Sequence, residues 1–302
     1  MMASSAEENS QCAGCGKAGD SLKACAGCKM VKYCGRTCQL AHRPAHKKDC
    51  KRKAAELYDE KLFTQPPPNE DCPVCFLPLP IQDHQSGYGA CCGKMICSGC
   101  SDEVRRTSSG KLRCPFCRTE AAETYAELQE WMNKRIEKND PSACYTMGGH
   151  YFNGSHGLPR DVDKGMELYN RAAELGSVSA HAKLGDAYFT GQNGIERDVK
   201  KAKHHFEHAA ILGCAVARAN LGYLEQTCNR DLARSVRHYT ISARSGHEPA
   251  MQYIKRVFLG GSSLVTKEQY EETLRAWKSS SDEMKSESRD RYDAMYKLGL
   301  TG

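Results

Sequence analysis

From Ser142 onward, apolar and small residues fall into paired amphipathic runs that repeat along the chain. SACYTMGGHYFNGSHGLPRDVDKGMELYNRAAELG begins at Ser142, and SAHAKLGDAYFTGQNGIERDVKKAKHHFEHAAILG begins 37 residues later at Ser179. VARANLGYLEQTCNRDLARSVRHYTISARSG begins at Val216, again 37 residues on, with four residues missing from its loop. Within the second unit, Ala180, Leu184, Ala187 and Tyr188 fall at the spacing of one amphipathic helix. Lys201, Ala202, Phe206, Ala209 and Ala210 mark a second, Gly191 and Gly194 interrupt the chain between them, and Gly213 stops the second helix. A repeat of this length predicts a helical solenoid, because one helix pair cannot bury its apolar face alone. Small residues at Ala173, Ala210 and Ala243 let helices approach closely, and Tyr169, Phe206 and Tyr239 read as core residues rather than ligand contacts.

The flanks are helical too. EAAETYAELQEWMNKRIEK (120–138) predicts a connecting helix, with Pro141 near its end. Thr266 and Gln269 form a capping-box pattern, followed by Tyr270, Leu274 and Trp277 as a stripe expected to cap the last repeat. SSSDEMKSESRDRYD (279–293) is so charged that an exposed, partly frayed tail is expected. The LG…Y…G…G…D…KA…AA…G pattern of the repeats resembles the Sel1-like repeat, a relative of the tetratricopeptide repeat. The resemblance implies an all-α solenoid that offers a curved surface to peptides or protein domains.

Composition changes the picture before residue 118. Fifteen of the eighteen cysteines lie there, mostly as Cys-x-x-Cys, and Cys144, Cys214 and Cys228 lie beyond. No stretch of 18 apolar residues is present, and MMASSAEENS has no basic-then-apolar signal pattern, so the protein is expected to be soluble, without a membrane partner, and cytoplasmic or nuclear. Short chelating pairs in such a chain point to zinc rather than disulfides. Four zinc ions on fifteen thiolates and one histidine would lower the formal net charge from +6 to about −1. Bulk basicity then gives no reason to expect a nucleic-acid partner.

The first ligand set is written CAGC (Cys12, Cys15), CAGC (Cys25, Cys28), YCGRTC (Cys34, Cys38) and HKKDC (His46, Cys50). The last two pairs have ligand spacing i, i+4, which places both members on one helix face. YCGRTCQLAHRPAHKKDC resembles a MYND finger. The resemblance implies interleaved sites, with Cys12, Cys15, Cys34 and Cys38 on one zinc and Cys25, Cys28, His46 and Cys50 on the other. His42, one helical turn before His46, is the competing ligand. Arg43 stands where many MYND fingers carry tryptophan, a departure that puts in doubt the peptide preference the resemblance implies. Lys47, Lys48, Lys51, Arg52 and Lys53 read as a solvated helix face.

After the Pro-rich QPPPNE (65–70) come CPVC (Cys72, Cys75), GACCGKMICSGC (89–100) and CPFCR (Cys114, Cys117). This order resembles a RING finger of an all-cysteine type. The implied cross-brace gives one zinc to Cys72, Cys75, Cys97 and Cys100 and the other to Cys92, Cys114, Cys117 and one further ligand. Lys94 stands where many RING fingers carry histidine, and a protonated lysine does not ligate zinc. Cys91 and His84 are the alternatives, with Cys91 preferred. In RING fingers an apolar first-knuckle residue, a central-helix residue and a last-knuckle proline meet a ubiquitin-conjugating enzyme. Val74 and Pro115 match two of these positions, Arg118 matches a hydrogen-bonding linchpin, and the central helix lacks the usual tryptophan. Such fingers have no nucleophile and act by positioning.

The expected architecture is multi-domain: two small zinc-stabilised cross-brace fingers, then an all-α Sel1-like repeat solenoid. Its expected parts are a disordered N-terminus (1–11), the MYND-type finger (12–50), a helix (51–64), a Pro-rich linker (65–71), the RING-type finger (72–118), a connecting helix (119–140), about three repeats (141–261) and a helical cap with tail (262–302). No phosphate-binding Gly-Lys-Ser/Thr loop, hydrolase elbow, His-Glu-x-x-His or SET-like segment is present. The leading functional expectation is a RING-type ubiquitin-ligase-like adaptor whose repeats and MYND finger bind protein or peptide partners. A non-enzymatic interaction scaffold is the alternative, and a transcription- or RNA-associated regulator is a third.

Overall fold

The computed structural model describes residues 11–108 and 111–300. The N-terminal segment expected to be disordered therefore lies, except for Gln11, outside the described residues. Among those described, no helix is long and apolar enough to cross a membrane. The chain divides into two units, Met1–Thr64 and Gln65–Gly302.

In the first unit a two-stranded antiparallel hairpin, β1 (Lys23–Ala24) and β2 (Lys32–Tyr33), precedes one long helix, α1 (Arg36–Leu62). The helix expected at 51–64 is thus the continuation of the helix that carries the last finger ligands. Pro44 lies inside it and removes one backbone donor. Leu62 is its only buried residue among those described, so α1 has little apolar face of its own. Arg52 and Lys53 both reach Glu56, at 2.7 and 3.2 Å, as exposed pairs that solvent screening leaves weak. The basic run is a solvated face, as its sequence suggested.

The second unit begins with the Pro-rich stretch, which runs along the repeat turns rather than hanging free. Gln65 Nε2 donates to Ser245 Oγ at 2.9 Å, and a Cβ at Gly213 would lie 3.6 Å from the Pro67 carbonyl oxygen. Next come an antiparallel hairpin, β3 (Ser86–Gly89) and β4 (Lys94–Cys97), and a short helix, α2 (Ser98–Thr107). Helix α3 (Tyr125–Glu137) leads into the repeats, starting five residues later than the composition of 120–138 suggested because Thr124 caps it.

The repeats are α4 (Pro141–Asn153) with α5 (Val162–Glu174), α6 (Val178–Thr190) with α7 (Val199–Ile211), and α8 (Ala215–Leu224) with α9 (Leu232–Arg244). Asp161, Asp198 and Asp231 cap the second helix of each pair, each side chain accepting from a backbone amide two or three residues on. A glycine on the first helix meets an aromatic ring on the second in every unit. Cβ atoms at Gly148, Gly185 and Gly222 would lie 3.0, 2.5 and 2.9 Å from the rings of Tyr169, Phe206 and Tyr239. The repeated Leu-Gly and the repeated aromatic are therefore two halves of one contact. In the shortened third unit, α8 runs into a π-helical turn (Glu225–Asn229) anchored by buried Glu225, which accepts from Lys203 at 3.0 Å and Asn229 at 2.6 Å.

Helix α10 (Glu248–Leu259) follows, then α11 (Lys267–Glu283), whose Thr266–Gln269 capping box is complete. Tyr270, Leu274 and Trp277 pack against Ala243, Ala250 and Met251, covering the end of the array. The frayed tail expected at 279–293 is not what the chain forms. Residues Glu287–Lys297 make a further helix, α12, capped by Ser286 and packed on α2. Its charges are used in specific bonds to the cysteine-rich segment, which the pattern of hydrophobic positions could not reveal.

Candidate metal centres

Four groups of side chains converge so that their ligand atoms all lie within 4.8 Å of one another. They are Cys12, Cys15, Cys34 and Cys38; Cys25, Cys28, His46 and Cys50; Cys72, Cys75, Cys97 and Cys100; and Cys91, Cys92, Cys114 and Cys117. Sulfur separations decide between metal and disulfide. Cys15–Cys34 and Cys75–Cys97 are 3.8 Å apart, Cys25–Cys50 3.7 Å and Cys92–Cys114 3.9 Å. A disulfide needs about 2.05 Å. A tetrahedron with zinc–sulfur bonds of about 2.3 Å has edges of about 3.8 Å. The donor sets fit zinc.

In the first unit, Cys12 and Cys25 each open a tight turn, closed by Gly16 N–H on the Cys12 carbonyl at 2.8 Å and Lys29 N–H on the Cys25 carbonyl at 3.0 Å. The β1–β2 hairpin brings the turns to α1, where His46 and Cys50 lie one turn apart. Cys34 and Cys38 are not a helical pair. Cys34 follows β2, Gly35 is the extended N-cap, and Cys38 sits in the first turn of α1. A Cβ on Gly14 would stand 2.7 Å from the Cys38 carbonyl, so the knuckle needs glycine to pass. The Cys34 backbone amide holds the Cys12 thiol down at about 6, and the Cys28 amide does the same for Cys25. His46 Nε2 is 3.3 Å from Cys28 Sγ. His42 instead shares a 3.1 Å hydrogen bond with the Tyr33 hydroxyl and stacks on His46.

In the second unit, Cys72, Cys97 and Cys100 are buried and Cys75 is half-buried. Cys97 N–H donates to Cys72 Sγ at 3.5 Å. Burial pushes the thiols of Cys91, Cys97 and Cys100 up, and a bound cation would hold them as thiolates.

The adjacent cysteines both face the last group because the chain bends sharply at Gly93, whose φ is +72° and whose N–H donates to the Gly89 carbonyl at 2.7 Å. Lys94 opens β4 and is exposed. His84 is occupied elsewhere, stacked on Tyr296 with centroids 4.0 Å apart. The turn is held from outside by Arg135 of α3, which donates to the Ala90 carbonyl at 3.3 Å and to the Cys91 carbonyl at 2.9 Å. Sequence reasoning missed Arg135, since a charge on an amphipathic helix normally reads as solvated. His84→Ala and Lys94→Ala are expected to keep the zinc content of the wild-type chain, whereas Cys91→Ser should lose one zinc. Metal analysis of the purified variants checks this.

Val74 and Pro115 are half-buried in the two knuckles, and Arg118 is exposed with φ +65° just after its turn. Phe76 and Phe116, one in each knuckle, expose 77% and 43% of their surface.

Residues 12–50 match the family described as MYND finger, and residues 141–177, 178–214 and 215–247 match the Sel1 repeat. The chain thus contains a zinc-binding MYND finger and three Sel1 repeats, and the cysteine groups between 72 and 117 lie outside both family matches. The Pineapple eye protein of Drosophila melanogaster is 31% identical over 133 residues, covering 41% of this chain and 22% of that protein. The chain therefore spans about a fifth of that relative's length. Among solved structures, a Sel1 repeat protein from Oxalobacter formigenes is 30% identical with a TM-score of 0.44, covering 53% of this chain and 64% of its own. A protective antigen with an SLR fold from uropathogenic Escherichia coli is 28% identical with a TM-score of 0.46, covering 60% of this chain and 38% of its own.

Proposed function

We propose that the protein is a zinc-dependent interaction scaffold that joins protein or peptide partners through its MYND finger and its Sel1 array. The observation that carries this reading is the presence of both modules in one chain. A folded helical array offers an extended surface for other chains, and most patterned residues inside it are consumed by packing. The finger at 72–118 extends the same role. Phe76 and Phe116 keep large apolar surface in water, where aromatic side chains commonly anchor partners.

A second reading gives that finger the RING role of recruiting a charged ubiquitin-conjugating enzyme, and the half-buried Val74 and Pro115 with exposed Arg118 support it. Helix α2, SGCSDEVRRT, carries no aromatic residue for the middle of that surface, which favours the scaffold. Ubiquitin discharge from a panel of charged conjugating enzymes separates the two. Zinc-loaded protein is expected to leave the thioesters intact. Discharge that is lost in both Arg118→Ala and Cys72→Ser would replace the scaffold reading with the ligase. For the scaffold itself, partners captured by the full chain should be lost on changing exposed array or finger residues while zinc content is kept.

A further inference from the structure

Helix α12 returns to the Cys72/Cys75/Cys97/Cys100 group from some two hundred residues further along the chain, and one of its side chains reaches a ligand sulfur. Arg289 is only 5% exposed. Its guanidinium donates to Cys75 Sγ at 3.4 Å, to the Leu77 carbonyl at 3.3 Å and to the Pro78 and Met284 carbonyls, both at 2.8 Å. A Cβ on Gly99 would lie 2.8 Å from the Arg289 backbone nitrogen, so α2 approaches α12 at a glycine. The rest of α12 is tied to the same finger. Arg291 pairs with Asp102 and Glu103, Gln85 donates to Asp293 at 2.7 Å, and Tyr296 stacks on His84.

This arrangement is expensive without a reason. A guanidinium taken out of water needs an opposite charge, yet three of the four oxygen or sulfur acceptors around Arg289 are neutral carbonyls, and its buried Nε has no hydrogen-bond partner. The compensating charge comes from the sulfurs. A zinc ion held by four thiolates carries about two net negative charges, and here that group is largely buried. Arginine also suits the geometry, because its planar fork serves one sulfur and several carbonyls together, and those carbonyls belong to the turn that presents Cys75.

We infer that Arg289 is the outer-shell cation of the Cys72/Cys75/Cys97/Cys100 metal centre, so that metal retention by the finger and docking of the C-terminal helix α12 are coupled. This rests on the reading of those four cysteines as a metal centre. The coupling is reciprocal: whatever α12 adds to metal affinity, metal adds to the docking of α12. The C-terminal segment is thereby a metal-conditional strap on the second finger. Loss of the ion releases α12 and uncovers the charged face of α2 that carries Asp102 and Glu103.

The test uses the zinc-loaded 302-residue chain. Zinc release is followed against a competing chelator, and alkylation of freed thiols followed by mass spectrometry assigns each release to its cysteine group. In metal sites, loss of an outer-shell partner costs about 10–100-fold in affinity. Arg289→Met is therefore expected to weaken the Cys72 group by that factor and leave the other three groups unchanged. A chain ending at Ser286 should show the same selective loss, and Arg289→Lys, which keeps the charge, should recover part of it. Conversely, Cys75→Ser should speed amide exchange in 287–297 while the repeats stay protected. Far-UV circular dichroism checks in every variant that the helical array is intact. Wild-type zinc release from Arg289→Met, or undiminished protection of α12 in Cys75→Ser, would overturn the coupling. Absence of zinc from the Cys72 group of the wild-type chain would instead overturn the metal reading beneath it.

Discussion

Cys28→Ser is expected to unfold residues 12–50 and to release zinc from that finger, while the repeats remain folded. The buried set of this segment is Cys12, Cys25, Cys28 and Tyr33, supported by half-buried Leu22, Met30 and Val31. Three of its four buried members are themselves ligands, so no apolar core remains once the metal is gone. A structural zinc in a finger contributes about 10–16 kcal/mol of apparent binding free energy at neutral pH. A segment of 39 residues falls below the size at which burial alone sustains a fold, about 40 residues. The metal term is thus larger than anything that competes with it. Cys28 Sγ also lies 3.3 Å from His46 Nε2, so its loss opens the site that ties the hairpin to α1. Amide exchange resolved by segment is the measurement. Fast exchange over 12–50 with protected repeats is the expected result, and persistent protection of the finger in the variant would contradict it.

The second large effect lies in the array. Gly185→Ala places a Cβ 2.5 Å from two ring carbons of Phe206, which is 1% exposed. Alanine improves helix propensity by about 1 kcal/mol over glycine. Overpacking a close contact costs about 1–3 kcal/mol. The overlap is with a ring clamped between α6 and α7 rather than with a flexible side-chain end, so the clash should win. Phe206→Ala, which empties the same contact from the other side, is expected to cost about 3–5 kcal/mol. The two changes share one contact and should not add. Phe206→Leu combined with Gly185→Ala should be more stable than the sum of the single variants predicts. Thermal unfolding followed by far-UV circular dichroism reads all four proteins. Strict additivity would show that the glycine and the ring are not one unit.

The differences between expectation and structure share a pattern. Cys34 and Cys38 have helical spacing, but Gly35 ends the extended chain between them, so spacing alone did not distinguish a helix pair from a strand-to-helix corner. The second finger was legible as four chelating pairs, whereas Arg135 and Arg289, which hold two of those pairs, were not. Both look like surface charges on amphipathic helices until the carbonyls and sulfur they bind are brought to them. The run 279–293 looked too polar to pack because its partners, Asp102, Glu103 and Gln85, lie some two hundred residues earlier.

Local chemistry accounts for what the sequence by itself determined. The Cys-x-x-Cys pairs and the Thr266–Gln269 capping box act over distances that a helix turn or a tight turn spans, and the 37-residue period repeats one helix pair. The repeat solenoid was therefore readable from spacing, whereas the grouping of the cysteines followed from the resemblance to MYND and RING fingers. Tertiary structure alone decided which charges are solvated and which are buried, that Cys91 rather than His84 joins the last cysteine group, and that the C-terminal helix closes on the second finger. Those outcomes depend on the desolvation of groups far apart in the chain, and desolvation is set by packing rather than by spacing.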